Sequence, residues 1–275
     1  MIVGNNISPL PFYSSAEEWN HRKQYAYEQI YPLIASVDTF LPFQFMVEGS
    51  TDARIDSMSI VNYKTGLKRQ IDREMIDEGG LTLTAYPDMD ISVVSFPGND
   101  AGLRGYLSEG LYYFEIGVTT AKSRGVYYSE VFIVCKNVDS HLKIEYGNSY
   151  DLATGKGVIQ FVNGFKFVCY LDTQIGKPEY VFEEEATERM GYTFIESQVS
   201  KKIYKFTFLA PEYLCDALRI VRLCDTKQIT SKGRTYDLTT FSMEPEWEEQ
   251  GDLAAVECEF ETDTVIANVG GYAKS

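Results

Sequence analysis

Two runs near the middle of the chain restrict its fold more than any other feature. Gly110 to Ile116 reads Gly-Leu-Tyr-Tyr-Phe-Glu-Ile, and Val126 to Val134 reads Val-Tyr-Tyr-Ser-Glu-Val-Phe-Ile-Val. Both are dense in β-branched and aromatic residues, the types that fit a pleated, half-buried surface. The polar connection between them is too long for a two-residue turn and suits an exposed antiparallel loop. The expectation is a long hairpin over Gly110–Val134 that closes a β-sandwich, with Lys136 to Ser140 as the joint to a second domain. Alternation places Tyr112, Phe114 and Ile116 on one face of the first strand. In the second it places Ser129, Val131 and Ile133 on one face, and Tyr128, Glu130, Phe132 and Val134 on the other.

The rest of the chain extends this pattern. Residues 1–13, with Asn5, Asn6, Pro9 and Pro11, read as an extended arm. Ser14 and Glu17 have capping-box spacing, and a helix over Ser15–Ile30 follows, with Trp19, Lys23, Tyr27 and Ile30 on one stripe. Tyr31-Pro32 ends it, because the residue before proline avoids the helical region. This arm and helix (1–38) either docks on a neighbouring subunit or packs back on its own domain. Strands then recur every 8 to 15 residues through 39–138, around Phe40–Val47, Ile55–Tyr63, Leu81–Ala85 and Ile91–Phe96. Turn signals at Asn62–Gly66, Tyr86-Pro87-Asp88 and Pro97–Asp100 separate them. This spacing predicts an immunoglobulin- or fibronectin-like sandwich without the Cys-Trp-Cys signature of antibody domains.

A second β-rich domain spans 139–275. It opens with Leu142, Ile144 and Tyr146, and continues through a polar loop (Asn148–Gly157) and an apolar strand or pair (Val158–Leu171). A short acidic segment around Glu183, Glu184, Glu185 and Glu188 comes next, then a strand over Gln198–Leu209. Pro211 opens a helix striped by Leu214, Ala217, Leu218 and Val221 that ends near Cys224-Asp225. Strands around Ile229, Tyr236–Leu238 and Phe241–Met243 precede a last strand over Ala254–Glu261. The fold class is thus mainly β: two tandem sandwich-like domains, an N-terminal arm and helix, and one short helix in the second domain.

At 275 residues the chain is long enough for two such cores. Its 20 Tyr and 16 Phe against 2 Trp suit β-sheets and protein interfaces, where a tyrosine ring is buried and its hydroxyl stays wet. A formal charge of −15 argues against nucleic acid and anionic lipid as partners, since neutralising phosphates needs clustered Lys and Arg. The local basic runs, Lys64/Lys68/Arg69 and Lys201/Lys202/Lys205, read as solvated positions. Cys135, Cys169, Cys215, Cys224 and Cys258 lack Cys-x-x-Cys spacing and mostly sit in apolar runs, which predicts free buried thiols. The N-terminus carries no basic region followed by an apolar core, so no signal peptide is expected, and no apolar stretch approaches the ~18 residues of a membrane span. A soluble protein made in a reducing cytoplasm is the resulting expectation.

Catalytic patterns are weak throughout. His21 and His141 lack Cys, Asp or Glu at metal-ligand spacing. The sequence around Ser108 has the wrong spacing for a nucleophile elbow. Ala153–Gly157 lacks the leading glycine and the trailing Ser or Thr of a phosphate loop. Pro87–Asp90 misses the remaining ligands of a calcium loop. The acidic run around Glu183 could pair carboxylates as glycosidases do, but reads better as a solvated face. The expectation is a non-enzyme with no catalytic, cofactor-binding or metal site and no cofactor.

Several segments together carry a resemblance. Leu41–Phe45 follows the N-terminal helix, and Gly110–Tyr113 is answered by Tyr127–Phe132. Lys177–Tyr180 precedes the glutamate run, Lys201–Phe206 leads to Ala210–Tyr213, and Trp247–Val256 leads to Glu259–Asp263. This order resembles structural proteins of tailed phages and prophages of gut Bacteroidetes, crAss-like phages included. The resemblance covers most of the chain from Thr39 onward. It implies a virion component of the tail, neck or baseplate, assembled as a homo-oligomeric ring or layer with other virion proteins as partners. The N-terminal helix and the loops around Asp100 and Lys122 would then make inter-subunit contacts, and deleting residues 1–37 would block assembly while leaving the sandwiches folded. The alternative is a glycan-binding adhesin module using Trp19 and Trp247 as stacking platforms.

Overall fold

The structure, a computed structural model, describes residues 8–14, 33–37, 41–71, 80–98, 107–154, 157–248 and 252–268. The side chains of Arg189, Phe194, Glu196 and residues 263–268 fall outside that description, as do the expected helix over 15–30 and the loop at Asp100. Strands dominate, so the fold is mainly β and sandwich-like, as expected.

Among the described residues ten strands precede the expected joint: β1 (Phe12–Tyr13), β2 (Leu33–Ser36), β3 (Phe43–Glu48), β4 (Arg54–Asn62), β5 (Lys68–Gln70), β6 (Thr82–Tyr86), β7 (Ile91–Phe96), β8 (Gly110–Thr119), β9 (Arg124–Ser129) and β10 (Phe132–Cys135). The expected hairpin is present, and β8 is the centre of a seven-stranded sheet. One edge of β8 pairs with β4, and the other pairs with β9 and then β10. Tyr128 lies opposite Glu115, whereas Phe132 lies opposite Tyr112, so the second strand carries one extra residue in between. That is a β-bulge. Side chains seal it: the Phe114 N–H donates to the Ser129 hydroxyl at 2.9 Å, which in turn donates to the Glu130 carbonyl at 2.8 Å. The Val131 N–H donates to the Glu130 carboxylate at 3.2 Å.

The bulge corrects the expected faces. Ser129 is buried, and Phe132 and Val134 enter the main core, while Tyr128 and Val131 sit together on the opposite face with Tyr13, Val61, Tyr63 and Tyr113. Alternation had put Tyr128 with Phe132, and Val131 with Ser129. A single inserted residue reverses every side chain beyond it.

The second layer is a three-stranded sheet in the order β3-β7-β6. Phe43 and Phe45 of β3 meet the large sheet through aromatic contacts, 5.4 Å from Phe114 and 5.2 Å from Tyr127 respectively, and Phe43 lies 5.2 Å from Phe96 of β7 within its own sheet. Phe12 stands between the layers, 4.7 Å from both Phe43 and Phe45. Residues 8–13 and 33–36 are therefore not an arm outside the sandwich. Leu10, Phe12, Leu33 and Ala35 are all at most 2 % exposed, β1 pairs antiparallel with β9, and β2 pairs parallel with β10.

The later residues form β11 (Leu142–Gly147), β12 (Leu152–Thr154), β13 (Gly157–Ile159), β14 (Phe167–Leu171), β15 (Glu179–Arg189), β16 (Tyr192–Pro211), α1 (Glu212–Leu218), β17 (Thr226–Ser231), β18 (Arg234–Asp237), β19 (Thr240–Trp247) and β20 (Leu253–Asn268). The expected polar loop over Asn148–Gly157 contains β12, which pairs with β13 at the loop's far end. A sheet in the order β14-β11-β17-β18 buries Ile144, Phe167 and Ile229, and a sheet in the order β15-β16-β20-β19 contributes Tyr204, Phe206, Cys258 and Phe260 to the same core. Pro211 caps α1 with extended backbone, where its missing N–H costs nothing. Leu214, Ala217, Leu218 and Val221 are buried, and a 3-10 turn carries the helix to Leu223 and a cap at Cys224, as expected.

In the β3-β7-β6 sheet, β3 and β7 are buried on both faces, while β6 is partly exposed. Away from Phe43 and Phe45, the sheet meets the β12–β13 region. Gln44 exchanges two hydrogen bonds with the main chain of Gln160, accepting from its N–H at 3.0 Å and donating to its carbonyl. The Gln160 side chain accepts from Ser95 at 3.0 Å and donates to Thr84. Beside this network, Met46 lies over Gly157, and with Ile91 and Val93 forms an apolar patch. Gln44→Leu would leave the buried N–H and carbonyl of Gln160 unpaired, a loss of about 3 kcal/mol of stability in denaturant unfolding.

All five cysteines are free, and four are buried. Burial pushes the thiols of Cys169 and Cys224 up to about 12 and that of Cys215 to about 11, and raises Cys258 further. A thiol held protonated in the folded state stabilises it below its ordinary value of 9.0, and that stability is lost as pH rises through the folded value. The guanidinium midpoint should therefore fall between pH 9 and 12. At pH 8, Ellman's reagent should modify Cys135 first and the four buried thiols only at the rate of unfolding.

Candidate interaction surface

The acidic run is solvated, as expected, with Glu183, Glu184, Glu185 and Glu188 exposed, but it is not a short segment. It forms β15, eleven residues paired with β16 as a ribbon that outgrows the core. Met190 and Gly191 make the turn with φ of 53° and 79°. Two positive φ values fit a two-residue turn whose twist matches that of the strands. Methionine is an unusual first residue for such a turn, so the sequence around it carried no hairpin signal. β20 supports β16 from Ser197 onward, leaving the ribbon two-stranded from there to its tip.

The two faces of the ribbon differ in chemistry. Tyr180 lies opposite Lys202, two residues before Tyr204, so the face that enters the core as Tyr204, Phe206 and Phe208 continues outward as Tyr180 and Phe182. Tyr180 is 62 % exposed and Phe182 72 %, while Met190 and Tyr192 at the tip are 99 % and 72 % exposed. Lys202 stands 5.3 Å from the Tyr204 ring and 5.9 Å from the Tyr180 ring. The other face is charged. Lys201 pairs with Glu183 at 2.7 Å, which holds the ammonium above its ordinary value, and Lys205 lies 3.5 Å from both Glu179 and Glu259. Glu185 accepts from Ser197 at 3.1 Å, while on the first face Glu184 accepts from Gln198 at 2.7 Å. Exposed pairs like these add little stability, so their weight is in what the surface attracts.

A second feature surrounds Trp247. Together with Met243 and Pro245 it walls a cleft of about 650 Å³ beside α1, rimmed by Glu212, Asp216 and Asp252. Trp247 is 46 % exposed, and Arg219 on the same rim lies 3.4 Å from Asp216. A smaller cleft of about 440 Å³ lies between Pro97 and Phe165.

The other sequence candidates are dispersed. The glutamates of β15 line neither cleft. The His141 imidazole lies 3.4 Å from the Ser140 hydroxyl and its main-chain N–H donates to the Val138 carbonyl at 3.0 Å, and Ser108 shares a hydrogen bond with Tyr112 at 3.1 Å. The position of Gly157 is filled by Met46 rather than open to a phosphate. Pro87–Met89 is a 3-10 turn. Lys122 reaches the Gly49 carbonyl at 3.3 Å, tying its loop to the turn after β3. Trp19 and His21 lie outside the described residues. Among the described residues no group of three or more His, Cys, Asp or Glu is arranged to hold a metal ion, and no helix is long and apolar enough to cross a membrane. No protein-family model and no curated protein matches the chain.

Proposed function

We propose that this chain is a non-enzymatic structural protein of a phage tail, neck or baseplate that assembles as a ring or layer. The observation that carries the reading is the β15–β16 ribbon, an element that outgrows the core with Tyr180, Phe182, Met190 and Tyr192 exposed. Large apolar side chains along one projecting element, with Met190 and Tyr192 at its two-stranded tip, suit a surface made to be covered. The segments that carry the resemblance to phage structural proteins include β8–β9, the base of this ribbon and the β16–α1 junction. Assembly is heterologous, each subunit presenting different faces to its two neighbours, with the ribbon and the Lys122 loop as contact elements. The immunoglobulin- or fibronectin-like character of 39–138 and its separation from 139–275 belong to the same proposal. Mass spectrometry of density-gradient-purified particles tests it: peptides of this chain at fixed copies per particle support the reading, and their confinement to the soluble lysate or host envelope overturns it.

A second reading rests on the Trp247 cleft. An exposed indole beside three carboxylates suits a sugar ring, which stacks on the aromatic face and donates its hydroxyls to the rim. Glycan-array binding lost on Trp247→Ala supports that adhesin reading.

A further inference from the structure

We infer that the free edge of β15 takes an additional strand from a partner protein, an extended segment with basic residues on one face and apolar residues on the other. Among the described residues β15 pairs with β16 alone, so its outer edge presents main-chain donors and acceptors along eleven residues. Such an edge is a template for strand addition, and natural sheets blunt it with lysine, proline or a covering element. Within Glu179–Glu188 there is neither Lys nor Pro.

The side chains flanking this edge define the occupant. An added strand would run beside Tyr180, Phe182 and Glu184 on one face and Glu179, Val181, Glu183 and Glu185 on the other. Its residues on the first face meet the exposed rings of Tyr180 and Phe182 and gain from apolar contact. On the second face Lys201 and Lys205 already offset Glu183 and Glu179, whereas, among the described residues, Glu185 accepts from the neutral Ser197, and on the first face Glu184 from the neutral Gln198. The edge is left electronegative in a chain of net charge −15. A second β15 in that place would set glutamate against glutamate, so a second copy of this strand is disfavoured and a cationic strand favoured. The inference deepens the assembly role proposed above and rests on the ribbon being its contact element.

Hydrogen exchange on the full chain tests it, with two capped seven-residue peptides as probes, one alternating Lys and Val and the other Glu and Val. The Lys/Val peptide is expected to slow amide exchange over Glu179–Arg189, more weakly at higher salt, and the Glu/Val peptide to leave it unchanged. Phe182→Ser and Glu185→Lys, both at exposed positions, should each weaken binding of the Lys/Val peptide about tenfold without altering thermal unfolding of the free chain. Four results overturn the inference: no protection at millimolar peptide, protection placed elsewhere such as β19 or the Trp247 cleft, equal binding of both peptides, or insensitivity to the two substitutions. Protection of β15 that grows with protein concentration alone would assign the edge to a second copy and also overturn it. The measurement uses the isolated chain, so its failure leaves the particle composition that tests the virion reading untouched.

Discussion

A chain lacking residues 1–37 is expected to lose cooperative folding altogether, rather than to fold and merely fail to assemble. The deletion removes β1 and β2, which pair with β9 and β10 in the large sheet. It also removes Leu10, Phe12, Leu33 and Ala35 from the core. Truncating a single such phenylalanine or leucine to alanine costs about 2–5 kcal/mol. Three of them together reach the whole stability of an ordinary domain, about 5–15 kcal/mol. Loss of the strands also opens two sheet edges to aggregation. Circular dichroism and size exclusion check this directly: a soluble monomer with a sharp thermal transition would show that the sandwich stands without these strands. Phe12→Ala in the full chain is the milder test, with an expected loss of about 3–5 kcal/mol in guanidinium unfolding.

Gly157→Val should be the most damaging single substitution in the region where β13 meets β7. A Cβ at Gly157 would fall 2.0 Å from the Met46 sulfur, and its φ of +152° is one that side-chain-bearing residues rarely adopt. Overpacking and backbone strain together amount to about 4 kcal/mol. Because Met46 is 1 % exposed, the sulfur has little free volume to move into. The check is a double-mutant cycle. Met46→Ala combined with Gly157→Ala should be less destabilising than the sum of the two, since the smaller side chain vacates the clashing position. Strict additivity would mean that the backbone angle alone makes glycine necessary. A glycine that sequence comparison weighs as part of a phosphate loop is thus explained by a neighbour more than a hundred residues earlier in the chain.

Local patterns were legible wherever their cause was local. The density of β-branched and aromatic residues over Gly110–Val134 is sufficient to specify a hairpin, and Asn62–Gly66 is a turn because the Asn62 side chain caps the N–H groups of Lys64 and Thr65 at 3.1 and 2.9 Å. Pro211 and the spacing of Leu214, Leu218 and Val221 specify α1 and its buried face. What stayed hidden depends on partners distant in sequence. The bulge at Ser129–Val131 leaves no mark in the alternation, because the residue that breaks the period is justified by hydrogen bonds to Phe114 and Pro11. The acidic run is the solvated face its charge predicts, but its pairing with β16 stayed hidden, since charge suggests exposure and says nothing of strand partners.

By itself, then, the amino-acid order determined that this chain is mainly β, where several of its strands and the helix after Pro211 lie, and that four of its five thiols are buried hydrophobes. These follow from short-range sterics, capping and the period of apolar residues, each of which acts within a few positions. Only the tertiary structure decided that residues 8–13 and 33–36 belong to the core, that β3 and β7 are covered on both faces, and that the glutamates stand on a ribbon of β15 and β16. Those are outcomes of which surfaces meet, and the free energy of burying one apolar face against another is set by both partners at once.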